Sequence, residues 1–150
     1  MKISKSTVEQ IRISGLDELD PITVIVEDYN QGQGKIIISS WDGCWNFYWG
    51  AMGERNIKEF IVGCHNDYLC RKFLSGETRE TDYDQIESDC GIEETLCTEN
   101  LILYEKELQA HYGQDWIMDL PKKHTSDYFW LCKILDVVKN AFKEDLAKAA

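Results

Sequence analysis

From residue 22 the chain alternates apolar and polar side chains in Ile-Thr-Val-Ile-Val-Glu-Asp, and a second β-branched run, Lys-Ile-Ile-Ile-Ser-Ser-Trp, covers residues 35–41. A period near two in β-branched residues predicts strands. The linking YNQGQG is a Gly/Asn-containing connector of hairpin length. Asp42-Gly43 then predicts a two-residue turn, because a type I′ turn needs positive φ at both central residues. A turn centred there sets Trp41 opposite Cys44, Ser40 opposite Trp45, Ile38 opposite Phe47 and Ile36 opposite Trp49. With a further strand over residues 7–14, closed by GLDELDP, the front of the chain reads as a four-stranded antiparallel meander.

The stretch WDGCWNFYW, residues 41–49, carries three Trp, one Phe and one Tyr. Alternation puts Trp45, Phe47 and Trp49 on one face with Ile36 and Ile38, and that face must be covered. Trp41, Cys44, Asn46 and Tyr48 share the other face with Ile37 and Ser39. The aromatic run is therefore mainly core. Trp41 and Tyr48 remain candidates for a contact surface. A base-stacking platform is disfavoured, because such platforms carry Lys and Arg for the phosphates and this stretch has none.

Helical spacing takes over after residue 55. Asn56 with Glu59 three residues on forms a capping-box pattern, and Ile57, Phe60, Ile61, Cys64 and Tyr68 continue one stripe to a stop at Gly76. A short helix is expected over residues 82–89, before Cys90-Gly91. Leu101, Tyr104 and Leu108 mark a further helix ending at Gly113, while DWIMDLPKKH reads as turn and linker around Pro121. The last segment starts on a Thr/Ser cap and sets Leu131, Ile134, Leu135, Val138, Ala141 and Phe142 on one stripe. Strands followed by helices predict a single α+β domain over residues 1–150, with three or four helices packed on one face of the meander.

Composition fits that picture, with 43% apolar and 11% aromatic residues. No run of about 18 apolar residues appears, so no membrane-spanning helix is expected. The first residues lack the apolar stretch of a secretory signal, which predicts a cytoplasmic protein. The six cysteines form no C-x-x-C pair and the three histidines no H-x-x-x-H pair, so free thiols are expected and neither metal nor cofactor.

Catalytic motifs are not found. There is no G-x-S-x-G elbow and no phosphate loop ending in G-K-[ST]. GQGKII lies between two strands, without the helix N-terminus that would present aligned N–H groups. Cys64 and His65, neighbours on a helix, would project about 100° apart and form no dyad. Acids at 82, 84, 87 and 89 lack the order of a calcium loop. Asp42 and Glu54 flank the aromatic strand as the remaining carboxylates to consider for acid/base work, with nothing else beside them. A non-enzymatic role is the expectation.

Charge changes the picture most. The net charge is −11, and residues 77–107 hold eleven acids against Arg79 and Lys106, a net of −9. One reading is a solvated face that aids solubility. The other is a negative field aimed at a basic partner, in which Glu80, Asp82, Asp84, Glu87, Asp89, Glu93 and Glu94 stand in for phosphates and Trp41 or Tyr48 anchors a second contact. Direct nucleic-acid binding has the wrong sign of charge.

The stretch ITVIVEDYNQGQGKIIISSWDGCWNFYWGAMGERNIKEFI, residues 22–61, resembles small proteins of phages and prophages. The resemblance implies an origin in a mobile element and action in the host cytoplasm, and small acidic proteins of that origin include inhibitors of host defence. Three roles follow as expectations. The first is an inhibitor of anti-CRISPR or anti-restriction type, or an immunity protein for a nuclease toxin, that blocks the basic nucleic-acid-binding surface of a protein partner. The second is a small enzyme or ligand-binding domain with a pocket near Trp41, Tyr48 and Asp42. The third is a subunit that forms a homodimer through the mixed sheet face.

Overall fold

The computed structural model describes residues 1–41 and 43–149. Four strands, β1 (Glu9–Ile13), β2 (Ile22–Asn30), β3 (Gln33–Ser40) and β4 (Gly43–Trp49), form an antiparallel sheet in the order β1-β2-β3-β4. The expected meander is therefore present, and the chain is α+β. Helices α1 (Ile57–Gly63), α2 (Asn66–Phe73), α3 (Tyr83–Cys90), α4 (Glu105–Tyr112), α5 (Trp116–Asp119) and α6 (Ser126–Ala149) follow, with a 3₁₀ turn at Leu101–Tyr104. The chain divides into two compact units, Met1–Gly76 with Asp127–Ala150, and Glu77–Ser126.

In the first unit the alternation of β2 to β4 decides which face is buried. Ile22, Val24, Val26, Ile36, Ile38 and Trp49 are buried, and they share one core with Ile57, Phe60 and Ile61 of α1, Leu69, Cys70 and Phe73 of α2, and Leu131, Ile134, Leu135, Val138 and Phe142 of α6. Three helices thus cover one sheet face.

The β3–β4 register differs from the expected one by two residues: Ile36 pairs with Phe47, Ile38 with Trp45 and Ser40 with Gly43. The Asp42-Gly43 turn falls on Asp42, outside the described residues, but pairing Gly43 with Ser40 places Gly43 in the ladder rather than in the connection. The Trp45 indole lies against Gly43, where a Cβ would meet it at 2.7 Å. A two-residue shift preserves side-chain parity, so every face assignment survives.

At the other end of β3, Gly32 adopts φ +70, and a Cβ there would lie 2.0 Å from the Gly53 carbonyl oxygen. The Met52 N–H donates to the Gly32 carbonyl at 2.8 Å, joining the hairpin to the segment that leads into α1. The α1 N-terminus is held twice. Asn56 and Glu59 form the expected capping box, and the Ile57 N–H donates to Asp28 of β2 at 2.9 Å.

The single helix expected over residues 57–75 is broken at Cys64 and His65, both extended. Gly63 is a weak helix former, and α6 supplies competing bonds. Lys139 donates to the Cys64 carbonyl at 2.5 Å and to Asn66 at 2.6 Å, while Asn66 donates to Asp136 at 2.8 Å. The break re-phases the stripe, so that Tyr68 lies at the rim and accepts from the Trp49 indole at 3.0 Å.

The second unit has its own core of Ile86, Leu96, Leu108 and Trp116, packed with Tyr83, Leu101, Tyr104 and Tyr112. The segment expected to be turn and linker instead forms α5 and a strand, β6 (Lys122–His124), which pairs antiparallel with β5 (Arg79–Thr81). The Thr125 N–H donates to the Thr78 carbonyl at 3.2 Å, extending that pairing by one step. No helix among the described residues is long and apolar enough to cross a membrane.

Phe142 is fully buried, so Phe142→Ala should destabilise the first unit by about 3–5 kcal/mol in denaturant unfolding. Lys58, nearly buried, bridges Glu9 of β1 at 2.6 Å and Asp145 of α6. Its ammonium holds the Asp145 carboxyl below the usual carboxylate range. A depressed carboxyl contributes stability above its ordinary pKa and loses it as pH falls through the folded value. Asp145→Asn should therefore lower stability at neutral pH and flatten the acid limb of a stability-against-pH curve, read by denaturant unfolding across pH.

Candidate acidic interface

The division of the chain also divides its charge. The unit Glu77–Ser126 holds thirteen acids and four bases, a net of −9, leaving −2 for the rest. The expected acidic residues all fall in this unit, and the structure separates them by role.

Asp82 is the N-cap of α3, accepting from the Gln85 N–H at 3.3 Å. Lys123 of β6 reaches both Asp82 at 3.5 Å and Asp84 at 2.7 Å, and their charges raise its own pKa. Glu87 accepts the backbone N–H of buried Leu96 at 2.6 Å, closing the loop after α3. Asp89 accepts from the Tyr112 hydroxyl at 2.6 Å and from Gln85 at 2.7 Å, and these two bonds hold its carboxyl below the usual range. Burial and the Asp89 bond push the Tyr112 hydroxyl up in turn. Glu94 accepts from the Tyr104 hydroxyl, which raises the pKa of that phenol. The Glu80 and Glu93 side chains are exposed and make no hydrogen bond or ion pair among the described residues.

Most of these carboxylates therefore hold the unit together through hydrogen bonds and ion pairs. Asp89, held below the usual carboxylate range by its bonds to Tyr112 and Gln85, keeps its charge and contributes to the external field. Glu77, Glu99, Glu105, Glu107, Asp115 and Asp119 add exposed charge on the same unit. Exposed aliphatic side chains sit on it as well: Ile102, Leu103, Ile117 and Met118. These were missed in the sequence because Leu101–Tyr104 winds as a 3₁₀ turn and α5 was not expected.

Trp41 and Tyr48 belong to the first unit. Trp41 is 81% exposed and Tyr48 49% exposed. Tyr48 lies opposite Lys35, whereas Trp41 follows the Ser40–Gly43 pair. Five ladder steps of about 3.4 Å separate the Lys35–Tyr48 pair from the Ser40–Gly43 pair, and Trp41 lies beyond the latter, so more than roughly 17 Å keeps Trp41 and Tyr48 out of one pocket. Instead Tyr48 meets Tyr29, ring centroids 6.0 Å apart, on the face away from the helices. Clefts at Ile11–Ser14 against Ala141–Lys148, at Leu16–Leu19 against Lys133–Val137, and at Ala51, Phe60, Cys64, His65 and Tyr68 are lined by neither Trp41 nor Tyr48. Among the described residues no group of three or more His, Cys, Asp or Glu side chains gathers as for a metal ion.

A family model described as a phage family matches residues 1–144. Comparison with curated proteins and with solved structures gives no match.

Glu87→Ala should cost about 1–3 kcal/mol by stranding the Leu96 N–H, whereas Glu80→Ala should leave stability within about 0.5 kcal/mol, both read by denaturant unfolding. Tyr112→Phe should raise the Asp89 titration midpoint toward the ordinary carboxylate range, observed by NMR of the side-chain carboxyl.

Proposed function

The chain belongs to this phage family, and from that premise we propose that it is a non-enzymatic inhibitor of anti-CRISPR or anti-restriction type. Its acidic unit occupies the basic nucleic-acid-binding surface of a host defence protein in the host cytoplasm. The observation that carries this reading is the placement of nine of the eleven net negative charges in one compact unit of residues 77–126. A solvated face needs no such concentration, and the more neutral first unit shows that the fold does not require it.

The chemistry of that unit supports the reading in two ways. Tyr104, Tyr112 and the Leu96 N–H hold Glu94, Asp89 and Glu87 in place, so the negative field is preorganised rather than spread over mobile side chains. Exposed Ile102, Leu103, Ile117 and Met118 add apolar area beside the charge, the combination found in protein interfaces rather than in purely solvating surfaces. Long-range attraction would speed the encounter and make affinity fall with salt.

The test is capture of partners from host lysate at low and at high salt, with wild type beside a Glu80→Lys, Glu93→Lys, Glu107→Lys triple variant. The side chains at these three positions are exposed and enter no hydrogen bond or ion pair among the described residues, and circular dichroism and thermal unfolding check that the variant folds, since Glu80 pairs with Lys123 in the β5–β6 ladder. Asp82 and Glu87 are unsuitable for reversal, because the one caps α3 and the other satisfies a backbone N–H. The expected result is salt-sensitive capture of a basic nucleic-acid-handling protein, weakened about tenfold or more in the variant. Undiminished, salt-indifferent capture by the variant would refute the reading.

A further inference from the structure

Among the described residues one sulfur–sulfur approach stands out: Cys70 Sγ of α2 lies 3.6 Å from Cys132 Sγ of α6. The two residues are 62 positions apart in the chain and both belong to the first unit. Cys70 is fully buried, and Cys132 is half-buried. We propose that Cys70 and Cys132 are a redox-active dithiol that closes to a disulfide by exchange with a small-molecule disulfide of the glutathione class.

The asymmetry in burial sets the order of events. Cys132, the less buried of the two residues, attacks as its thiolate on one sulfur of the small disulfide. A new S–S bond forms, the old one breaks, and the first small thiol leaves with the electron pair. Cys70 then gives up its proton and attacks the Cys132 sulfur, expelling the second small thiol. Two protein thiols are oxidised, one external disulfide is reduced, and the two protons end on the released thiols. Burial, with the Cys132 thiol as its neighbour, pushes the Cys70 thiol up. That keeps Cys70 inert toward bulk reagents and makes it the resolving sulfur rather than the attacking one.

Closing the bond requires the sulfurs to approach by about 1.5 Å from their present separation. The element that must give is α2, only eight residues long, whose N-cap His65 makes no side-chain capping bond. Its other end is a tight stop, with the Gly76 N–H returning to the Arg71 carbonyl at 2.8 Å. The placement of the pair gives it a consequence. Cys70 lies shortly before the chain leaves the first unit at Gly76, and Cys132 shortly after it re-enters at Asp127. The covalent loop would enclose the whole acidic unit and clamp both of its roots to one another. Opening of α2 away from the first turns of α6 would then no longer free them.

The test is incubation of the folded wild-type protein with oxidised glutathione at neutral pH, followed by intact mass and peptide mapping. The expected product is about 2 Da lighter than the dithiol, carries a Cys70–Cys132 linked peptide, and shows slower amide exchange over residues 66–76 and a higher thermal midpoint. Cys70→Ser should instead accumulate a stable glutathione adduct at Cys132, and Cys132→Ser should leave Cys70 unmodified. An absent crosslink, or a persistent adduct at Cys132 in wild type, would overturn the proposal. The wild-type measurement decides the matter even if a variant fails to fold.

Discussion

A four-stranded sheet with one apolar face must be covered on that face, and the rest of the molecule follows from how the chain does so. The segment after β4 supplies α1 and α2, which leaves part of Ile22, Val24, Ile36 and Ile38 to be buried by something else. The cover is α6, at the far end of the sequence. The chain must therefore leave after α2 and come back, and everything between becomes an inserted unit with a core of its own. The sheet interior is apolar and nearly neutral in its demands, so it places no limit on the charge of that insertion. The acidic unit is free to accumulate carboxylates because the structure it interrupts does not depend on them.

Within the insertion, charge and fold are coupled more tightly. Four buried residues make a small core, and small cores leave a unit of this size marginal. Hydrogen bonds to carboxylates make up part of the difference: Asp82 at the α3 cap, Glu87 on the Leu96 N–H, Asp89 and Glu94 on tyrosine hydroxyls. The same groups that project the field thus also fix the loops that carry it. Lys123, within ion-pair reach of both Asp82 and Asp84, relieves repulsion between two carboxylates at the start of α3.

The parts legible in the sequence were those set by neighbours along the chain. Strand faces could be read because alternation has a period of two, and even a register wrong by two residues left Trp45, Phe47 and Trp49 on the covered side. Capping by Asn56 and Glu59, the short helix ending at Gly91, and the stripe of α6 are equally local. What escaped reading depends on partners far away in sequence. The break at Cys64 and His65 is stabilised by Lys139 and Asp136 on α6. β5 and β6 are three-residue strands of mostly charged residues, Arg79–Thr81 and Lys122–His124, with no periodicity to betray them. The acidic run was visible as charge, but its internal roles were not, since Tyr104, Tyr112 and the Leu96 N–H are reached only through the fold. Cys70 and Cys132 each look like an isolated thiol until α2 and α6 are set side by side.

The β5–β6 ladder brings Thr78 and Thr125, the two ends of the insertion, within one hydrogen bond of each other. A segment whose ends lie side by side is topologically a cassette. Such segments are the kind that chains tolerate as insertions of variable length. For a protein of a phage family, this is a route by which recombination can swap the variable part of a gene while the sheet and its three covering helices are inherited unchanged.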